Sequence, residues 1–140
     1  MEAKTTVQKP RGFGARGWWT IIFCGLLYYM MTGSSADGLN VTVPGFVALK
    51  GWDYSTLLSY STIAGLVGMV VAFFTARLIT KKGAKFVIIL SCIVAGVAFI
   101  LYGYSNSMAM YLVTISIACS FAYVYSFQAT GPLVASWFPR

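Results

Sequence analysis

In the first long segment of low charge, Tyr29, Gly33, Asp37 and Asn40 recur at steps of four, four and three. At helical spacing they share one face, which would carry a phenol, a gap, a carboxylate and an amide. A second set, Ser116, Ser120 and Tyr123, shares a face and runs on into Ser126, Gln128, Thr130 and a Gly131-Pro132 break. Such groups hold a small polar solute through hydrogen bonds. Asp37 carries the sharpest chemistry. Deep in a membrane its carboxylate would be costly and would favour the protonated form, making it a proton or cation carrier; at an interface it would be an ordinary exposed charge. Both placements are open. The chain has no histidine and only three acidic residues, so general acid–base catalysis lacks its usual groups and no enzyme activity is expected. Cys24, Cys92 and Cys119 fall singly in three different apolar runs. They supply neither a metal set nor a Cys/His pair and read as small packing residues, so no metal or cofactor is expected.

The elements that must position these groups are membrane helices. Of 140 residues, 59% are hydrophobic and 9% charged, with mean hydropathy +0.78; a soluble domain is about a quarter charged. No Asp, Glu, Lys or Arg lies between Asp53 and Arg77 or between Lys85 and Arg140. A bilayer core of about 30 Å needs roughly 20 helical residues. The pattern predicts an all-α membrane protein with four transmembrane helices at about 17–44, 54–79, 85–104 and 108–135, behind a cytoplasmic segment 1–16. The last uncharged stretch is long enough to fold back, and "GYSNS" at Gly103 to Ser107 supplies the turn. A β-barrel would need alternating polarity, and "VIILSCIVAGVAFIL" has none. Trp18, Trp19, Trp52 and Trp137 fall near the expected interfaces.

Nine of the ten basic residues share a side if segment 1–16, the turn from Thr75 to Lys85 and Arg140 lie together; Lys50 alone falls opposite, beside Asp53. The positive-inside rule then places the N-terminus in the cytoplasm of a multi-pass cell-membrane protein. The net charge of +7 suits anionic lipid and gives no ground for nucleic-acid binding. A cleavable signal ending at "SSA" is disfavoured because the apolar run is long for such a region. Asn40-Val-Thr42 spells a glycosylation acceptor, read as chance so close to the bilayer. In the second helix Ser61, Gly65, Gly68, Ala72 and Ala76 form a stripe of small residues, expected to let a neighbouring backbone come close. The third helix is almost wholly aliphatic and reads as a lipid-facing support. The first and fourth combine polar faces with Gly or Pro interruptions, the best sequence pointer to a transport site.

The basic turn "ARLITKKGAK", Ala76 to Lys85, resembles the cytoplasmic signature of the major facilitator superfamily, commonly G-x-L-x-D-R-x-G-R-R. Leu78, Lys81, Gly83 and Lys85 match it, while Ala76 stands for the first glycine, Thr80 for the aspartate and Ala84 for a basic residue. The aspartate takes part in the contacts that latch the cytoplasmic side of such transporters, so Thr80 is a departure from that latch. The stretch "NVTVPGFVALKGWDYS" and the ending "SWFPR" are similar to the family as well. "SADGLNVTVP" and "GWDYSTLLS" resemble its oxalate/formate antiporter-like branch. The resemblance implies a twelve-helix fold of two six-helix halves, with this chain a fragment holding the first four helices and cut in the helix 4 to 5 loop. It implies alternating-access transport of a small solute, an organic anion in that branch, with the lipid bilayer and the remaining helices as partners. The cavity would be lined by Tyr29, Gly33, Asp37, Asn40, Ser120, Tyr123 and Gln128, and the gate formed by Ala76, Leu78, Lys81, Gly83 and Lys85. Two other readings stand beside it: a self-contained dimeric four-helix exporter coupled to protons through Asp37, and a four-helix membrane scaffold that transports nothing.

Overall fold

A computed structural model describes residues 14–136 and, of Ala36, the backbone alone. Most of the expected N-terminal segment, and the 137–140 end with Trp137 and Arg140, lie outside the described residues. Helix α1 spans Ala15–Met31, a π-helical turn Thr32–Ala36, and α2 Asp37–Lys50. Then come α3 (Tyr54–Lys82), α4 (Ala84–Gly103), α5 (Met108–Tyr123), a second π turn (Val124–Gln128) and α6 (Thr130–Ala135). Among the described residues three helices are long and apolar enough to cross a membrane: Tyr54–Lys82, Ala84–Gly103 and Met108–Ala135. The described chain is therefore all-helical and membrane-embedded. The first helical run passes through Pro44 and continues to Lys50, so proline interrupts a single ladder bond there without ending the helix.

Each π turn widens the helix and leaves backbone carbonyls poorly paired, which apolar surroundings penalise. Local hydroxyls add hydrogen bonds to the carbonyls beside them. In the first turn Thr32 Oγ1 donates to the Tyr28 carbonyl at 3.1 Å, Ser34 Oγ to Met30 at 2.6 Å and Ser35 Oγ to Met31 at 2.7 Å. Around the second, Ser126 Oγ donates to the Ala122 carbonyl at 2.7 Å and Thr130 Oγ1 to that of Ser126.

Helix ends are specified as locally. Asp53 caps α3, its Oδ2 accepting from the Thr56 N–H at 2.8 Å and the Thr56 hydroxyl at 2.9 Å. The backbone hydrogen bond from Thr56, then that from its hydroxyl, hold the Asp53 carboxyl below its ordinary pKa. At the other end Gly83, with φ at +87°, ends α3 and begins the connection to α4, a backbone region that disfavours side chains. Ser107 caps α5 by accepting from the Met110 N–H at 3.2 Å.

Helix α5 is the hub, flanked by α3 and α4. In the most apolar 18-residue stretch of Met108–Ala135 half of the residues are buried, against 11% in that of Tyr54–Lys82. Its Ser116, Ala118, Ser120 and Ala122 are all buried, and such small residues let neighbouring helices approach. One core forms around Tyr111, which is 0% exposed. The rings of Phe46, Trp52, Tyr60 and Tyr102 surround it at centroid distances of 5.3, 6.0, 6.4 and 5.2 Å. Thr42 Oγ1 lies 3.0 Å from the Tyr102 hydroxyl, joining α2 to α4. Lys50 closes this knot: its Nζ stands 5.3 Å from the Trp52 ring centre and donates to the Ser105 carbonyl and, at 2.9 Å, to Asn106 Oδ1. A second core joins Leu27 of α1 to Val87, Ile88 and Ala95 of α4 and to Ala122, Val124, Tyr125 and Ala129 around the second π turn.

Two predictions follow from these contacts. Tyr111→Ala should cost about 3–5 kcal/mol, the usual loss for an aromatic ring from a core. Tyr111→Phe should cost little or stabilise, because the buried hydroxyl makes no hydrogen bond. Unfolding in denaturing detergent, followed by tryptophan fluorescence, checks both; an alanine variant with the wild-type midpoint contradicts the knot. The depressed carboxyl of Asp53 contributes stability in full above the ordinary aspartate pKa of about 3.9 and loses it as pH falls through the lower folded value. The stability gap between wild type and Asp53→Asn should therefore narrow on acidification from pH about 6 to about 3, and a gap that widens is the contrary result.

Candidate functional site

Between the first helical run, α3 and α5 lies a groove of about 590 Å³, within the range of about 300–1,000 Å³ typical of small-molecule sites. From the first run, Met31, Ser35 and Leu39 face it at steps of four, straddling the π turn. From α3 it takes Ser61, Ala64, Gly65, Gly68, Met69 and Ala72, so the small-residue stripe becomes a wall. From α5 come Cys119, Ser120 and Tyr123.

The stripe was expected to admit a neighbouring backbone. At Gly65 a methyl group would meet nothing within 4 Å, whereas at Gly68 it would touch Ser120 Oγ at 3.5 Å and Ser120 Cα at 3.8 Å. The close approach thus occurs at one glycine, and the other opens onto the groove. Ala76, the last member, is exposed.

Of the expected cavity residues, Ser120 and Tyr123 line the groove. Ser120 is buried, and the Tyr123 ring stacks on that of Phe127 at 5.2 Å. Gln128 lies beyond them as a clamp: its Oε1 accepts from Thr75 Oγ1 at 2.8 Å and its Nε2 donates to the Ala72 carbonyl at 2.6 Å. Tyr29 is 72% exposed, and Gly33, Asp37 and Asn40 are exposed too, all outside the lining of the groove. Met31, Ser35 and Leu39 stand two positions along from Tyr29, Gly33 and Asp37, roughly 200° around a helix. Two of those three are apolar, so polarity gave no signal for them; Ser35 was visible only as a polar residue in a helix. Thr75 and its link to Gln128 had no sequence signal at all, since the two are far apart in the chain.

No family model, curated protein or solved structure matches this chain.

The gate-like residues gather at the α3–α4 connection. Leu78 packs against the core around Val87, and Gly83 makes the turn, while Lys81 and Lys85 are exposed. Arg77 lies over the Phe73 ring at 4.7 Å and Lys82 over that of Phe86 at 5.1 Å. Thr80, where the family signature has aspartate, donates its hydroxyl to the Arg77 carbonyl at 2.8 Å and so serves its own helix. On the far side of the first run a smaller hollow of about 360 Å³ is lined by Ser34, Cys92 and Tyr125 among others. Adjacent serines of one π turn therefore face two different hollows.

Removing the clamp with Gln128→Leu should cost about 1–2 kcal/mol, the upper range for hydrogen bonds between membrane helices. Thr75→Val should lose less, because the Gln128 bond to Ala72 survives, and the double variant should lose less than the sum of the two. The same detergent unfolding reads all three; strict additivity would show that Thr75 and Gln128 do not act together.

Proposed function

We propose that the chain forms the first four membrane helices of a secondary transporter of the major facilitator type, which carries a small solute by alternating access. The carrying observation is that the two helical runs broken by π turns border one groove. The first gives Met31 and Ser35 at its break, and the last gives Cys119, Ser120 and Tyr123 just before its own. Interrupted membrane helices are tolerated where they line a cavity, and π turns recur at functional sites. The fourth span in this reading is the first helix, expected at about 17–44, long enough at 1.5 Å per residue to cross about 30 Å.

The basic connection between α3 and α4 supports the cytoplasmic end of such a protein, with both chain ends of this segment on the same side of the cell membrane. Thr80 leaves the family's charged latch without its carboxylate. Eight further helices would complete the site, and the groove supplies one wall. The organic anion suggested by the oxalate/formate-like stretches finds no basic group among the groove-lining residues.

Topology is tested by single cysteines in a background lacking Cys24, Cys92 and Cys119. In intact cells Lys82→Cys should be shielded from an impermeant maleimide, and Ser55→Cys should react; the reverse pattern contradicts the orientation. Transport is tested with the complete transporter in proteoliposomes. Gly65→Leu, which fills the groove without meeting a neighbour at its Cβ, should lower flux by about tenfold or more. Ile93→Leu, on an exposed face of α4, should leave it unchanged. Normal flux in the Gly65 variant removes the groove from the pathway.

A further inference from the structure

We infer that the wall this chain gives the groove selects a solute whose polar end donates a hydrogen bond without carrying a charge, a hydroxyl on an apolar body, and that it disfavours a carboxylate. The inference rests on the groove being the solute site and adds the chemical class it takes.

The polar lining consists of Ser35, Ser61, Ser120 and Tyr123. A serine hydroxyl has one proton and two lone pairs. Two of these hydroxyls are within short hydrogen-bond reach of the carbonyl four residues back, Ser35 to Met31 at 2.7 Å and Ser120 to Ser116 at 2.5 Å, while Ser61 makes only a long contact to Leu57 at 3.4 Å. What Ser35 and Ser120 leave for a solute is lone pairs. Turning a hydroxyl outward to serve an anion would strip a backbone carbonyl of its extra partner inside a membrane helix. Tyr123 adds one phenol that can donate or accept. The Met31 and Met69 thioethers and the Cys119 thiol, also in the lining, offer polarizable contact with weak acceptor character.

Charge weighs against either ion. No Lys, Arg, Asp or Glu lines the groove. The nearest cation along α3, Arg77, is folded over the Phe73 ring. A carboxylate entering here would lose its hydration against oxygen lone pairs and apolar walls without a countercharge, the costliest of the options. An ammonium meets oxygen acceptors but equally lacks a countercharge, whereas an alcohol keeps a hydrogen bond and strands no charge.

The test uses the reactivity of Cys119, which lines the groove. The 140-residue chain carrying Cys24→Ala and Cys92→Ala is placed in nanodiscs of neutral lipid. Alkylation of Cys119 by a small maleimide is then timed by mass spectrometry with cyclohexylmethanol, cyclohexylmethylammonium or cyclohexanecarboxylate at equal concentration. These three share a ring and differ in the polar end. The alcohol should slow alkylation by about threefold or more, and the ammonium and the carboxylate should have far less effect. Ser35→Ala with Ser120→Ala should remove most of that protection while leaving the groove open. Gly65→Leu should abolish it by filling the space. Protection by either ion equal to that by the alcohol, lost in Gly65→Leu, overturns the selectivity and leaves the groove standing. Protection by none of the three, as when a lipid chain fills the groove, or protection that survives Gly65→Leu, overturns the groove itself.

Discussion

A bilayer interior offers no water to a stray carbonyl or amide, and the architecture of this chain is a set of answers to that fact. Regular helix satisfies most of the backbone. Where the helix widens, hydroxyls stand beside the backbone, Thr32, Ser34 and Ser35 in one turn and Ser126 and Thr130 in the other. Ser116 and Ser120 make the same kind of bond along regular α5, so the side chains give carbonyls a second partner at both turns and beyond them.

The same constraint explains how the helices hold together. Hydrophobic burial gives little net drive when lipid is as apolar as a side chain, so packing and interhelical hydrogen bonds carry the association. Here they concentrate at two levels. Near one end Lys50, Thr42 and the rings around Tyr111 bind α2, α3, α4 and α5 into one knot. At the level of the second π turn, Gln128 ties the last helix to α3. The groove lies between the two, where α3 presents glycine, alanine and serine and nothing fills the space they leave. Lys50, an exception in the charge pattern, sits opposite the other cations because its ammonium is held by a carbonyl, an amide oxygen and an indole face.

Much of this was legible in the residues. Charge-free runs marked the membrane-embedded helices, and "GYSNS" marked a turn whose last serine caps α5. Ser120 and Tyr123 could be read as one face because α5 is regular up to Tyr123. The face of the first run that meets the groove was less accessible. Periodicity shows that Tyr29, Gly33 and Asp37 align, but Met31, Ser35 and Leu39 align equally well, and the choice depends on which helices stand alongside. Gly65 and Gly68 illustrate a second limit. A missing side chain permits either close contact or a gap, and the sequence is identical for both outcomes.

Helices α3 and α4 are joined through Gly83 alone. So short a link keeps the two helix ends together, and the pair forms one hairpin. Arg77, Lys81, Lys82 and Lys85 ride at its tip, and drawing four cations across hydrocarbon is far costlier than leaving them behind. Whichever side of a membrane the bend occupies, its four cations hold it there once the pair is in place, so the hairpin is pinned at that end.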